Sequence, residues 1–290
     1  MRIPNVVLNI EGYRSKIYNG ELQDESEDLS QDPDSHTYIN PDSPDWADLP
    51  TVQKRTEEAF TWLYKQKGFG AFWSHAQTLK RMDELSVEDY GVAKGVLAEL
   101  VLFHTIKEWI KHNNLQNTWK IYHSLFVPFK NKQGQTELDI VLASRFTVVV
   151  FEVKSYNGEK TLKGECTIVR KSSSRDIFKQ NAMHVRVLKE AMNPETILSD
   201  VGAFKSVLFS FATGSINDKR TETYKRLMPV VDENSLVHFL NSLLAKANRT
   251  NWGDNIFNEL DSIADNKITM EEHIRFLEER YAEDQDVEEV

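Results

Sequence analysis

"FTVVVFEVKSYNG" occupies residues 146–158. It starts as the apolar, β-branched run typical of a buried strand, then places a glutamate and a lysine two positions apart where that run ends. Strand side chains alternate faces, so Glu152 and Lys154 share one side while Phe151, Val153 and Ser155 share the other. A buried charge is costly unless it is paired or bound to an ion. The two residues are therefore either a salt bridge at a sheet end or part of a site.

The preceding stretch, "TELDIVLA" (136–143), is a second strand, separated from 146–154 by "SR". So short a connection predicts an antiparallel hairpin. With its turn near Arg145–Phe146, Asp139 falls opposite Glu152, at about 5 Å. Two carboxylates at that distance repel unless a hard cation lies between them. Mg²⁺, with Mn²⁺ as a substitute, accepts one or two carboxylates together with water and phosphate oxygens. The Val153 backbone carbonyl supplies a third protein ligand. Lys154, beside such a cation, orients a water or hydroxide and neutralises charge on a phosphate, which points to metal-assisted phosphodiester hydrolysis.

Further strands are expected at 118–127 ("TWKIYHSLFV"), 165–170 ("ECTIVR"), 204–213 ("FKSVLFSFAT") and 227–232 ("LMPVVD"), and a short one at "NVVLNI" near the start. Helices are expected at 51–69, ended by Gly68 and Gly70, and at 86–114, where Ser86 and Asp89 form an N-cap signature. The second has an apolar stripe of Val92, Val96, Leu100, Phe103 and Ile110, with Glu99 beside it. Residues 174–192 read as an amphipathic helix with Ile177, Met183, Val187 and Leu188 inward; 233–248 and 269–283 complete the set. The aromatic cluster Phe60, Trp62, Tyr64, Phe69, Phe72 and Trp73 reads as core or subunit interface. Lys171, Arg175 and Lys179 flank the start of the helix carrying Gln180, a basic setting for phosphate at a helix N-terminus. His184 reads as a packing or hydrogen-bonding residue and Cys166 as structural.

The chain has 290 residues, a formal net charge of −10 and one cysteine. The single cysteine excludes an intramolecular disulfide framework and suits a reducing compartment. No signal peptide or apolar span is legible, so a cytoplasmic protein away from the membrane is expected. Residues 21–50 hold ten acids and no Lys or Arg, and the last ten residues hold five acids and no base. Without those fifteen negative charges the rest carries +5. The body is mildly basic with two acidic appendages, a balance that permits phosphate binding.

The order helix, three strands, helix, strand, with D…E-x-K on the hairpin, resembles the restriction-endonuclease-like PD-(D/E)XK fold. In detail it is similar to the nuclease-related NERD domain, on "KGVLAEL", "TELDIV", "FEVKSYNG", "QNAMHVRVL", "SVLFS" and "DENSLVHFLNSLL". Glu137 departs from that family's pattern, standing where it usually has Gln. The resemblance implies an α/β fold: a restriction-endonuclease-like core, a mixed sheet flanked by helices, with an N-terminal helical extension and acidic terminal arms. It assigns Asp139 and Glu152 as metal ligands, Lys154 as the catalytic lysine, Glu99 as an acid holding a bound water or second ion, and Gln180 as the residue orienting phosphate or water. The expected organisation is an N-terminal extension with acidic arm (1–50), a helical extension (51–89), a nuclease-like domain (90–248) and a C-terminal helical segment with acidic tail (249–290).

The expected function is a Mg²⁺-dependent deoxyribonuclease, with DNA as partner. Self-association through the aromatic helix, or a protein partner, is a further expectation. Two rivals stand beside it. One is a catalytically silent nuclease-fold module that binds DNA or protein. The other is an acidic decoy or inhibitor of a DNA-processing enzyme.

Overall fold

In the computed structural model, the hairpin that carries Asp139 and Glu152 lies at the middle of a five-stranded sheet whose strands run in the order 119–128, 135–144, 148–154, 204–210 and 230–231. The structure describes residues 49–81, 88–130, 134–156, 158–165, 167–169, 174–192, 204–244 and 255–265. The expected strand "NVVLNI", residues 21–48 of the acidic arm, Ser86, Cys166, Lys171 and the expected helix at 269–283 lie outside these described residues. The chain divides into two units. One comprises Met1–Glu108, Lys154–Asn157 and Phe211–Thr213; the other comprises Trp109–Val153, Gly158–Ser210 and Gly214–Val290.

In the first unit, α1 runs over Leu49–Arg81 with a break at Gly68, whose φ of 79° is non-helical. The helix expected to stop here is interrupted but resumes. No proline follows, and Phe72, Ala76 and Leu79 restart a buried face at helical spacing. The second helix, α2 (Glu88–His112), buries Leu97, Leu100, Val101, Leu102 and Ile106. Val96 and Phe103 of the expected stripe are only half-buried. The helix is apolar around most of its girth, so periodicity alone had several faces to choose from.

Aromatic packing dominates this unit. The Tyr64 ring stacks on His104 with centroids 3.9 Å apart, and Phe72 meets both rings edge-on. Phe60 packs edge-on to Phe72 at 6.2 Å. Phe60 and Phe72 are buried in the core, whereas Trp62, Tyr64, Phe69 and Trp73 are half-buried. The Tyr64 hydroxyl donates to Glu108 Oε1, and burial together with that carboxylate pushes its pKa up to about 12.

In the second unit, β1 (Trp119–Pro128) pairs antiparallel with β2 (Gln135–Ser144), and β2 with β3 (Val148–Lys154). The turn is centred on Arg145–Phe146, as expected. Ser144 closes it by accepting the Phe146 and Thr147 N–H groups on its hydroxyl and donating its own N–H to the Thr147 carbonyl. β7 (Phe204–Ser210) lies beside β3 and pairs parallel with β9 (Val230–Val231), so the sheet is mixed. Val141, Ala143, Val148 and Val150 pack under α3 (Ile177–Ala191), through Val187 and Leu188. A later helix, α6 (Asn255–Asp265), adds Ile256, Phe257 and Leu260 to this core. Phe151 points to the other side, where it meets Phe239 of α5 (Leu236–Leu244) edge-on at 6.1 Å. The chain thus has a mixed sheet flanked by helices, an α/β architecture, preceded by helices.

A second sheet has the order β6-β5-β4-β8: Ser174–Asp176, Thr167–Val169, Lys160–Lys163 and Ile216–Asp218. Of these strands only β5 was expected. Each has three or four residues, too few for alternation to stand out. Arg220 holds its edge: its guanidinium donates to both Asp218 carboxylate oxygens and to the Met228 carbonyl beyond α4 (Glu222–Leu227), and it keeps the Asp218 carboxyl below the usual carboxylate range. At Gly214, φ is +85° and an added Cβ would stand 2.5 Å from the Gly158 carbonyl group.

Two outcomes follow from this packing. Gly214→Ala lowers the unfolding free energy by about 2 kcal/mol or more, through strain and the backbone clash, and a urea midpoint beside wild type measures it. The Tyr64 proton is held more tightly in the folded than in the unfolded state. The stability it lends is full below pH about 10 and is lost as pH rises toward about 12. Absorbance titration at tyrosinate wavelengths therefore loses a component centred at about pH 12 in Tyr64→Phe.

Candidate functional site

The backbone ladder between β2 and β3 ends at Ile140 opposite Phe151. One step further the same register sets Asp139 opposite Glu152, as the expected turn required. Backbone pairing gives way there to a side chain: Val153 N–H donates to Asp139 Oδ2 at 2.6 Å. Asp139 is half-buried and Glu152 is 0 % exposed. Alternation aims Glu152 to the side of Val150 and Val148, which is the α3 side.

α3 meets it with polar groups. Asp176 caps the helix by accepting the Lys179 N–H at 3.1 Å. The Asp176 carboxylate also lies 3.4 Å from the exposed Lys179 ammonium, so the first turn already carries an anionic cap. Gln180 is half-buried in that turn. Arg175 sits in β6 opposite Ile168. The buried stripe of α3 is Ile177, Asn181, His184, Val187 and Leu188; Met183, expected inward, is half-buried. Asn181 Nδ2 donates to the Val150 carbonyl at 3.2 Å and to the Val207 carbonyl at 3.4 Å, joining the helix to β3 and β7. One turn on, His184 Nδ1 lies 3.2 Å from Glu152 Oε2, with both side chains buried.

The structure therefore brings Asp139, Glu152 and the Val153 backbone together at the end of the hairpin, with His184 against Glu152. Lys154 closes β3 two residues beyond Glu152; it is half-buried and its carbonyl accepts the Phe211 N–H at 3.0 Å. Glu99 is half-buried on α2. Glu137 is half-buried opposite Phe126. Asn181 was not singled out from the sequence. Its signal was present: Ile177, Asn181, His184 and Leu188 follow i, i+4, i+7, i+11, so two polar residues interrupt one apolar stripe.

Among the described residues no group of three or more His, Cys, Asp or Glu side chains is arranged to hold a metal ion. Two carboxylates and a carbonyl are nevertheless the hard oxygen donors Mg²⁺ takes, since that ion keeps several waters and needs few protein ligands. The donor set at the hairpin end fits such an ion.

Residues 94–210 match the family profile of NERD, the nuclease-related domain. Among solved structures, similarity is found to protein VC1899 from Vibrio cholerae, at 11 % identity and a TM-score of 0.34 over 70 % of this chain and 53 % of that one. It is also found to Can2 from Sulfobacillus thermosulfidooxidans in complex with cyclic tetra-adenylate, at 12 % identity and a TM-score of 0.33 over 68 % of this chain and 53 % of that one. The chain thus spans about half the length of these structures. No curated protein matches it. No helix among the described residues is long and apolar enough to cross a membrane.

Asn181→Ala strips two strand carbonyls of a donor inside the core. It is expected to cost about 2 kcal/mol, read as a lowered urea midpoint.

Proposed function

We propose that the chain is a divalent-metal-dependent nuclease that hydrolyses phosphodiester bonds of DNA. The observation that carries this reading is the hairpin register. It sets Asp139 opposite Glu152 on the strand that ends in Lys154, inside a nuclease-related domain.

Asp139, Glu152 and the Val153 carbonyl would hold Mg²⁺, with Glu99 assigned to a water or a second ion on the family resemblance. A bound Mg²⁺ supplies charge neutralisation for the phosphodiester under attack. The chain's own groups do the rest. Lys154 offers a compact ammonium that holds the attacking water by hydrogen bonds and offsets the charge growing on the phosphate. Gln180 has both an amide donor and an acceptor, so it can orient a phosphate oxygen or the water. Lys171, Arg175 and Lys179 are assigned to the DNA backbone, where cations fix register without reading sequence.

A second reading is favoured by the environment of Glu152. Its carboxylate is 0 % exposed and lies against His184, an arrangement that also suits a silent module in which the pair is purely structural.

Incubation with plasmid, linear and single-stranded DNA, in Mg²⁺, Mn²⁺ or EDTA, separates the two. The nuclease cleaves at least one form only with metal, and Lys154→Ala lowers the rate by about 10²-fold or more at unchanged folding. Absence of cleavage of every form by the folded wild type rejects the nuclease and leaves the silent module.

A further inference from the structure

We infer that His184 is a positioning residue for the metal site, holding the Glu152 carboxylate in the orientation that binds the ion; the inference rests on the proposed nuclease reading. Three observations carry it. Glu152 is 0 % exposed and His184 is 4 % exposed, so solvent does not decide how the carboxylate is turned. His184 Nδ1 stands 3.2 Å from Glu152 Oε2. The helix that presents His184 is pinned to the strand that presents Glu152 by Asn181, whose amide bonds the Val150 carbonyl two residues before Glu152 and the Val207 carbonyl of β7.

These facts form one device. Asn181 fixes the register of α3 against β3 and β7. That register delivers His184, one helical turn further along, to one oxygen of Glu152. With His184 Nδ1 packed 3.2 Å from that oxygen, the rotation of the carboxylate is restricted. A side chain that orients a metal-binding carboxylate in this way typically changes metal affinity about 10–100-fold when removed. This separates positioning from packing: a ring that only filled space would set stability and leave the affinity of the folded protein unchanged.

The test is Mn²⁺ binding to the EDTA-treated full chain, followed by the electron paramagnetic resonance of free Mn²⁺, with thermal unfolding measured on the same samples. His184→Ala is expected to weaken Mn²⁺ binding about tenfold or more. His184→Asn, which keeps a nitrogen on the γ carbon where Nδ1 stands, is expected to bind more tightly than His184→Gln, which carries its nitrogen one bond further out. Wild type that binds Mn²⁺ while folded His184→Ala binds it equally well overturns the inference alone. Should His184→Ala not fold, the order of Asn and Gln decides, and equal or reversed affinities overturn it. A folded wild type that binds no Mn²⁺ overturns the metal reading and the inference together.

Discussion

The hydrogen bond from Val153 N–H to the Asp139 carboxylate is where sheet and candidate site meet. The backbone ladder of the β2–β3 hairpin stops one pair earlier, so at this point a side chain takes over the accepting role of a strand carbonyl. A hydrogen bond to a charged acceptor is stronger than its neutral counterpart. It ties the acid of one strand to the backbone of the next, beside Glu152. A register slip of one residue would send Asp139 and Glu152 to opposite faces and dissolve the pair. The remainder of the sheet guards against that slip. Val141, Ala143, Val148 and Val150 are buried under α3 on one side, and Phe151 is buried against Phe239 on the other.

α3 adds a second layer of control. A helix packed on a sheet through aliphatic contacts alone can slide, because such contacts are non-directional. Asn181 places a directional donor into this interface and reaches two strands that are adjacent only in the folded sheet. Burying the amide is offset because its Nδ2 group donates to two strand carbonyls. The same stripe then presents His184 to Glu152. Stability and site geometry are thus held by neighbouring positions of one helix.

The hairpin was legible in the sequence because its signals are local. Two apolar runs, a short polar turn and a period of two fix both the pairing and the face of each residue. The α3 helix was legible for the same reason, although residues 174–176, expected as its first turn, form β6. The strands β4, β6 and β8 and the helices α4 and α6 were not. The strands are too short to show a period. α6 is held by Ile256, Phe257 and Leu260 in the core and by Asp261, which accepts from Tyr122 and Lys120, residues about 140 positions away. No local pattern announces a contact of that separation.

From the sequence alone came the class of fold, the juxtaposition of Asp139 and Glu152, and the resemblance to a nuclease-related domain, since each depends on spacing within a strand, a hairpin or a motif. Only the tertiary structure decided which face of α2 is buried, that the helix through Gly68 resumes, and which groups Asn181 and His184 meet on the sheet. Those outcomes turn on competition among faces of similar hydrophobicity. Such competition is resolved by what each face meets in three dimensions, and a linear pattern does not contain that partner.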